Sequence, residues 1–369
     1  MATAIQATLD AATMRRDAFT ARFFESVEGT MRVFTIYLGD KLGFYGVLKQ
    51  DGPLTAAELA ARTGTHPRYV REWLEQQTVA GVLEVLNPDA DAETRRFHLP
   101  EGHDEVLADR DSLNYLAPLA QAITGGVRPI DDVLRAFRTG GGVPFGDYGP
   151  DIREGQARMN RAAFLKQLGQ EWVPAMADVD RRLRSDPPAR VADFGCGAGW
   201  SSIGLARCYP KVLVDGFDLD SPSIEMACAN AVEAGLTDRV QFHVRDAADS
   251  ELAGRYDFVM AMECIHDMSN PVGALRTIRR LLAPGGAVLV VDERVGDTFT
   301  PTGNDVEGLM YGFSVLHCLP TGMSEEPSAG TGTVLRTPTL RNYAREAGFR
   351  DVEILPVENF LFRLYRLWP

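Results

Sequence analysis

The feature that most constrains the fold of this chain is an alternation of short apolar runs with helical stretches in its C-terminal half. After the segment Ser185-Asp186-Pro187-Pro188, apolar runs of strand length occur at residues 191–194, 212–217, 240–242, 256–260 and 287–291. Strands that are separated by helices usually pack into one parallel sheet, with the connecting helices on its two faces. The sequence therefore predicts an α/β fold with a doubly wound sheet.

The N-terminal part predicts a helical domain with the element order of a winged helix. Residues 1–50 place Phe23, Phe24, Val27, Met31, Phe34 and Leu38 at helical intervals. Thr55 and Glu58 form a capping box that opens a helix to about Arg62, and a second helix runs from about Pro67 to Thr78. Residues 82–86 and 96–99 then predict a hairpin.

Charge argues against DNA as the partner of this domain. Residues 41–110 carry 8 Lys+Arg and 12 Asp+Glu, and the whole chain carries 38 against 51, a net charge of -13. A helix that reads a DNA groove needs a basic face, and an acidic protein repels phosphate backbones and anionic lipids. We expect neither a nucleic acid nor a membrane partner, and interpret the winged helix as a dimerisation scaffold.

The chain divides, on this reading, into a winged-helix dimerisation domain (1–110), a helical linker or lid region (111–185) and an α/β domain (186–369). The glycine-rich segment 139–149 could be a mobile loop that closes over a site, or a plain linker. Five cysteines form no C-x-x-C pair, and no stretch has the apolar length of a membrane span. The N-terminus also lacks the pattern of a signal peptide, so we expect a cytoplasmic protein.

A glycine-rich turn follows the first predicted strand, in Asp193-Phe194-Gly195-Cys196-Gly197-Ala198-Gly199. Glycines there let the backbone approach a ligand closely, and the leading carboxylate of Asp193 suits a ligand with an ammonium group. Asp218 ends the next strand, 19 residues past Gly199, where an acid can accept two hydrogen bonds from a ribose. Asp246, after the third strand, can accept from an exocyclic amino group.

These ordered motifs resemble those of class I S-adenosylmethionine-dependent methyltransferases, and the Leu282-Ala283-Pro284-Gly285-Gly286 segment is a further hallmark. The resemblance implies a Rossmann-like sheet and S-adenosyl-L-methionine as cofactor. It implies that Gly195, Gly197 and Gly199 cradle the methionine part, that Asp218 holds the ribose, and that Asp246 and Ala247 meet the adenine. We assign Asp193, Leu219 and Glu263 to the same site.

The turn Met262-Glu263-Cys264-Ile265-His266-Asp267-Met268 is similar to the His-Asp-Trp turn of small-molecule O-methyltransferases that have an N-terminal winged helix, with Met268 in place of tryptophan. In that family the histidine is the general base, so the resemblance implies this role for His266, next to Asp267. A second family carboxylate orients the histidine, and Glu293 matches its position. The alternative is that these groups only cap helices around a pocket in which proximity does the catalysis.

Tyr311-Gly312-Phe313-Ser314, later in the chain, strengthens the resemblance to actinobacterial-type methyltransferases of secondary metabolism. It implies a homodimer that acts on a small-molecule acceptor, with O-methylation favoured. Three alternatives stay open. They are C-methylation assisted by a metal on His266 and His317, C-methylation with Glu171 as the base, and a winged-helix regulator that senses S-adenosylmethionine.

Overall fold

The computed structural model describes residues 2–369, with side chains from residue 10 onward. These residues form two compact units, one that ends at Ala120 and one that begins at Gln121. In the described residues, no helix has both the length and the apolar character needed to cross a membrane.

The first unit has the predicted helix-turn-helix and hairpin. Its elements are α1 (Ala2–Lys41), α2 (Phe44–Asp51), α3 (Ala56–Thr63), α4 (Pro67–Val79), β1 (Glu84–Val85), β2 (Phe97–His98) and α5 (His103–Leu107). The capping box is confirmed, because the Thr55 side chain accepts from the Glu58 amide while the Glu58 side chain accepts from the Thr55 amide. β1 and β2 pair antiparallel, and the core of this unit includes Leu59, Leu74 and Phe97.

The second unit begins with helices that precede the sheet. α6 (Ala117–Gly126) spans the boundary between the units, and it is followed by α7 (Ile130–Thr139), α8 (Pro150–Ala163) and α9 (Ala177–Arg184). A π-helical segment (Phe164–Trp172) continues α8 directly. Trp172 is fully buried and packs edge-on against Phe362 at 5.9 Å between ring centroids, so this segment belongs to the core around the sheet.

The remaining elements build the sheet and its covering helices. They are β3 (Arg190–Phe194), α10 (Trp200–Cys208), β4 (Leu213–Asp218), α11 (Ser221–Ala234), β5 (Val240–Val244), β6 (Tyr256–Met262), α12 (Pro271–Leu281), β7 (Leu282–Glu293), α13 (Glu307–Phe313), α14 (Leu319–Gly322), α15 (Thr337–Ala347), β8 (Asp351–Ile354) and β9 (Phe362–Trp368).

The sheet of the described residues has the strand order β5-β4-β3-β6-β7-β9-β8. The first five of these strands run parallel, which confirms the predicted doubly wound α/β fold. β9 is antiparallel to both β7 and β8, an addition that the apolar runs did not predict. Val191 and Ala192, neighbours on β3, belong to separate cores on the two faces of the sheet.

The chain crosses from one side of β3 to the other, since β4 and β5 lie beyond one edge of that strand and β6 and β7 beyond the other. In open α/β sheets, ligands bind outside the carboxyl ends of the strands at such a switch point. The turns after β3, β4, β6 and β7 therefore converge on one crevice.

Candidate functional site

The glycine turn leaves β3 in a left-handed conformation. Gly195, Gly197 and Gly199 have φ angles of 66°, 52° and 79°, which favour glycine strongly. The amides of Gly195 and Cys196 both donate to the Phe217 carbonyl, at 2.8 and 3.1 Å. The turn is therefore fastened to the end of β4.

Two of the three glycines are also required by packing. A Cβ at Gly195 would lie 2.5 Å from Cβ of Cys264, and one at Gly199 would collide with the ring of Phe242. A Cβ at Gly197 would meet no atom of the described residues within 4 Å. The backbone of Gly197 therefore borders open space, whereas Gly195 and Gly199 pack against the rest of the protein. This open space is the cradle in which a ligand could lie.

Asp193 lies below this turn, completely buried at the end of β3. Its Oδ2 accepts from the hydroxyls of Ser201 and Ser202, at 2.5 and 2.7 Å. Burial raises the pKa of Asp193 to about 6, against the lowering effect of the two serines. Its Oδ1 is buried without a partner in the described part of the chain, so one oxygen fastens α10 and the other is left for a donor.

Asp218 contacts the glycine turn, while its predicted contact with a ribose stays a prediction. Its Oδ2 accepts from the Gly197 amide and its Oδ1 from the Asp220 amide, both at 2.9 Å. Burial raises the pKa of Asp218, and the amide hydrogen bonds oppose that rise. The next residue, Leu219, is 61% exposed, so an apolar side chain borders the carboxylate on the open side.

An ion pair behind Asp218 was missed in the sequence. Arg153 on α8 binds both oxygens of Asp220, with Nε 2.6 Å from Oδ2 and Nη2 2.9 Å from Oδ1. Asp220 also caps α11 by accepting from the Ser223 amide. The run Asp220-Ser221-Pro222-Ser223 predicts a helix N-cap from the sequence alone. The contact with Arg153, in contrast, depends on the tertiary fold.

Asp246 and Ala247, predicted at the adenine, follow β5. Asp246 is exposed and accepts from the Ala248 amide at 2.8 Å. Ala247 is partly buried against the core that contains Phe217. The contact of these residues with an adenine stays a prediction.

The histidine turn follows β6 and lies against the glycine turn. Glu263 has a left-handed backbone with φ of 51°, an uncommon conformation outside glycine. The thiol of Cys264 donates to the Phe194 carbonyl at 3.2 Å. The two turns that the sequence assigns to cofactor and chemistry are therefore in direct contact.

His266 is 2% exposed and is surrounded by carboxylates. Its Nδ1 lies 2.9 Å from Oδ1 of Asp292 and 3.3 Å from Oε2 of Glu293, and its Nε2 lies 3.3 Å from Oδ1 of Asp267. Burial lowers the pKa of His266, but Asp292, Glu293 and Asp267 together raise it well above the ordinary value. The surrounding carboxylates thus favour the charged form of the imidazole.

Asp292 is the carboxylate nearest to Nδ1 and was not singled out in the sequence, where only Glu293 was proposed to orient the ring. Both residues end β7, and both are buried. The sequence signal that could have revealed this pair is that the two acids are adjacent and follow an apolar run. Burying two such carboxylates costs free energy unless a cation pairs with them. Burial raises the pKa of Glu293 well above its usual range, and His266 opposes that rise.

Glu263 adds another acid to this group. Its Oε1 is buried without a partner in the described residues. Burial raises its pKa to about 7, with His266 lowering it and Asp292 raising it. Several carboxyl groups therefore surround the single imidazole of His266. This excess of acidic groups over basic ones suits a ligand that carries positive charge or donates hydrogen bonds.

His317 is buried in the late segment that the sequence singled out. Its Nδ1 lies 3.3 Å from the Thr321 hydroxyl, and its ring packs edge-on against Tyr148 at 4.4 Å. Its Nε2 is buried without a partner in the part of the chain described. Possible metal-ligand clusters in those residues group His266 with Asp267 and Cys318, or with Asp292 and Glu293, and do not include His317.

Glu171, the alternative base, lies on the exposed side of the π-helical segment. It accepts a hydrogen bond from Gln167 at 3.2 Å. Its neighbour Trp172 is the residue that points into the core. The solvated position favours a surface role for Glu171.

The glycine-rich segment 139–149 is packed against the His317 segment. The Val143 amide donates to the Pro320 carbonyl at 2.9 Å, and the Tyr148 hydroxyl donates to the Leu316 carbonyl at 3.0 Å. Val143 and Tyr148 are buried. In this structure the segment is neither a free loop nor a plain linker.

Comparison with known proteins agrees with this architecture. A family described as "Methyltransferase domain" matches residues 164–354, just over half of the chain, and one described as "Rv2258c-like winged HTH domain" matches residues 31–109. The ubiquinone biosynthesis O-methyltransferase of Ralstonia nicotianae is 28% identical over 195 residues, which cover 53% of this chain and 74% of that protein.

Solved structures with similar folds include the mitomycin 7-O-methyltransferase MmcR, with a TM-score of 0.71 and 21% identity over 96% of this chain and 99% of that one. Human N-acetylserotonin methyltransferase, solved in complex with S-adenosylmethionine, has a TM-score of 0.69 and 17% identity over 95% and 97% of the two chains. The sheet order, the winged helix and the family match agree, and the chain belongs to the methyltransferase-domain family.

Proposed function

We propose that this protein transfers the methyl group of S-adenosylmethionine to a hydroxyl of a small-molecule acceptor, with His266 as the general base. The observation that carries the proposal is the contact between the histidine turn and the glycine turn, through Cys264 and Phe194. It sets an anchored imidazole next to the cradle where the cofactor of this family would lie.

The residues of the cradle fit S-adenosylmethionine. Gly197 leaves open space beside its backbone, and the unpartnered Oδ1 of Asp193 can take a hydrogen bond from an ammonium group, directly or through water. Asp218 would hold the ribose hydroxyls. When bound, the cofactor supplies a methyl group on a sulfonium, which an oxygen nucleophile can displace in line.

The chain's own contribution is to position the acceptor and remove its proton. With the Nδ1–H of His266 donated to Asp292, the lone pair of Nε2 is available to a hydroxyl once the ring is neutral. Asp292 and Glu293 hold the ring orientation and stabilise the imidazolium that forms. Asp267 lies on the Nε2 side of the ring, so its side chain would have to move before the acceptor hydroxyl could reach Nε2.

The experiment is a kinetic comparison of His266→Ala with the wild type. We expect turnover to fall by about 10²–10⁴, with cofactor affinity nearly unchanged, because the base acts on the acceptor only. The control is Thr321→Val, which removes the threonine hydroxyl that lies next to the His317 ring. Full activity in His266→Ala would reject His266 as the base.

The pH profile tests the same assignment independently of turnover. Because the carboxylates raise the pKa of His266, its neutral form exists only at higher pH, so turnover should rise with pH to a midpoint above about 6.5. Asp292→Asn removes one of the charges that raise this pKa, and the midpoint should move to lower pH. A midpoint that stays in place would contradict the assignment.

Metal-assisted C-methylation through His266 and His317 is the second candidate, and the unpartnered Nε2 of His317 is the observation in its favour. In that case a chelator should abolish the activity, and His317→Ala should be as damaging as His266→Ala. Activity that survives the chelator, combined with loss in His266→Ala alone, would favour the base.

A regulator that senses S-adenosylmethionine belongs to another class of function. Such a protein must bind DNA, whereas residues 41–110 are acidic. Retention on heparin at low salt is a direct measurement, and we expect the protein to flow through.

We further propose that the chain forms a homodimer through α1. Between Met14 and Leu38, this 40-residue helix leaves large apolar side chains exposed, among them Phe19, Phe23, Phe24 and Met31. Exposed apolar surface of this extent marks an association site. A second copy of the chain would cover it.

A further inference from the structure

A cavity of about 560 Å³ lies at the sheet end opposite to the histidine turn, where β7 begins and β9 ends. Its walls include the Leu282–Ala287 segment, the arginines Arg255, Arg279, Arg280 and Arg366, and Trp368. The volume is within the range of small-molecule binding sites. The family's cofactor and acceptor would occupy the other end of the strands.

Three of these arginines form no ion pair with a side-chain carboxylate of the described residues. Arg255 donates to the Arg280 carbonyl at 3.0 Å, and Arg280 donates to the Leu252 carbonyl at 2.6 Å. The side chain of Arg279 has no hydrogen-bond or ion-pair partner in the described part of the chain. Backbone carbonyls orient the guanidinium groups of Arg255 and Arg280 without neutralising their charges.

The acidic side chain in the cavity wall is already committed. Asp178 binds Arg366 through both oxygens, with Nη1 2.7 Å from Oδ1, and the hydrogen bond from Arg366 holds the pKa of Asp178 below its usual range. The Arg366 guanidinium also stacks on the Trp368 ring, 3.8 Å from its centroid. The charges of Asp178 and Arg366 offset each other, so Asp178 does not offset the other three arginines.

The local charge is opposite to that of the molecule as a whole, whose net charge is -13. Arg279 and Arg280 lie in the last turn of α12, where the helix dipole favours cations. The dipole does not account for Arg255, which precedes β6 and reaches the same cavity. Like charges that converge on one cavity repel each other, and an anion removes that cost.

We propose that this cavity binds a small phosphorylated ligand, at a site separate from the methyl-transfer site. The planar fork of a guanidinium matches phosphate oxygens with paired hydrogen bonds. Three uncompensated arginines suit a ligand with at least two negative charges. Inorganic pyrophosphate is the simplest probe with that chemistry.

The test is calorimetric titration of the full chain with pyrophosphate at low ionic strength. We expect binding that weakens at least tenfold in Arg279→Ala and further in the Arg255→Ala/Arg279→Ala double variant. Arg276→Ala is the matched control, because Arg276 is an exposed arginine of the same helix that does not line the cavity and donates to the Glu346 carbonyl. Its affinity should stay within twofold of the wild type.

Two results would overturn the proposal. One is the absence of pyrophosphate binding at millimolar concentration, and the other is an equal loss of affinity in Arg276→Ala, which would reveal nonspecific charge attraction. Thermal unfolding of each variant checks that it is folded. S-adenosylmethionine affinity should be the same in all of them, which separates this site from the proposed function.

Discussion

His266 is flanked by carboxylates on both ring nitrogens, and the balance of burial and charge at this residue decides its chemistry. Burial alone would keep a histidine neutral. Here Asp292, Glu293 and Asp267 outweigh burial and raise its pKa. The same burial raises the pKa of Glu263 and Glu293. Burial and charge at these residues therefore act on one another, and the proton equilibria of Glu263, Glu293 and His266 are coupled.

Asp218→Ala should weaken S-adenosylmethionine binding by about 2–4 kcal/mol, because two charge-assisted hydrogen bonds to the ribose are lost. Calorimetry measures the effect. Asp215→Asn is the control, since Asp215 lies on the same strand but binds Arg190 and Tyr256 instead. Equal affinity in Asp218→Ala and the wild type would refute the ribose assignment.

Glu263→Gln should stabilise the free protein at alkaline pH. The folded-state pKa of Glu263 is raised to about 7, so the folded state binds this proton more tightly than the unfolded state. The wild type must then lose stability as pH rises from the ordinary glutamate value to about 7. The free energy of unfolding of the variant should match the wild type near pH 5 and exceed it above pH 7.

Denaturant unfolding at several pH values gives this comparison. Glu171→Gln, a change of the same kind at an exposed glutamate, should show no such pH-dependent gain. A Glu263→Gln curve parallel to the wild type across this range would contradict the prediction.

At the level of the structural elements, the 139–149 segment packs over the segment that carries His317, and we call it the strap. Phe145 lies 5.7 Å from the His317 ring, and the Arg153 guanidinium lies 5.4 Å from the Phe145 ring. Arg153 in turn binds Asp220, next to the proposed ribose acid. The strap and α8 thus connect the His317 segment with the proposed cofactor side through side-chain contacts.

Gly142→Ala should loosen this strap, because its Cβ would collide with the Pro320 carbonyl and the Ser324 amide. Backbone atoms cannot yield as a flexible side chain can, so we expect a loss of about 1–3 kcal/mol in stability. Turnover should fall as well. Thermal unfolding and a methyl-transfer assay measure the two effects.

Gly146→Ala is the matched control within the same segment. A Cβ at Gly146 would meet nothing within 4 Å of the described residues, and its φ is not in the left-handed region. It should unfold at nearly the wild-type temperature. Similar behaviour of the two variants would show that the contact with Pro320 is unimportant.

At the scale of the whole molecule, the exposed apolar side chains of α1 contrast with the packed second unit. The C-terminal end of α1 is fastened to its own unit, because the Trp73 indole donates to the Thr35 carbonyl at 2.8 Å. The segment before it leaves Phe23 and Phe24 more than 60% exposed. Apolar residues at helical intervals can therefore mark a surface that a partner covers, as well as a face that packs into the core of the same unit.

Replacing Phe19, Phe23 and Met31 by serine should convert the proposed homodimer to a monomer, as measured by light scattering coupled to size exclusion. The reason is the loss of apolar surface that a partner copy would cover. Val79→Ser, at a position of α4 that is 91% exposed, should leave the assembly unchanged. A monomeric wild type would contradict the dimer directly. A deletion of residues 1–50 would also remove Phe44, Tyr45 and Leu48 from the core of the first unit.

Features that depend on local pattern could be predicted from the amino-acid sequence. Apolar runs of strand length, the Thr55 capping box and the glycines at positive φ are each encoded within a few residues, so the parallel strands, the winged helix and the glycine turn could all be predicted. The positions of Asp218 and His266 at the ends of neighbouring strands could also be predicted, because strand ends of a doubly wound sheet converge.

The tertiary structure alone decided which distant groups share an environment. Asp292 rather than Glu293 lies nearest to Nδ1 of His266, Arg153 crosses to Asp220, and the 139–149 segment packs against Pro320. Each depends on the register and packing of elements far apart in the chain. The raised pKa values have the same origin, because burial and the summed field of neighbouring charges are properties of the folded arrangement, which a linear spacing of residues does not specify.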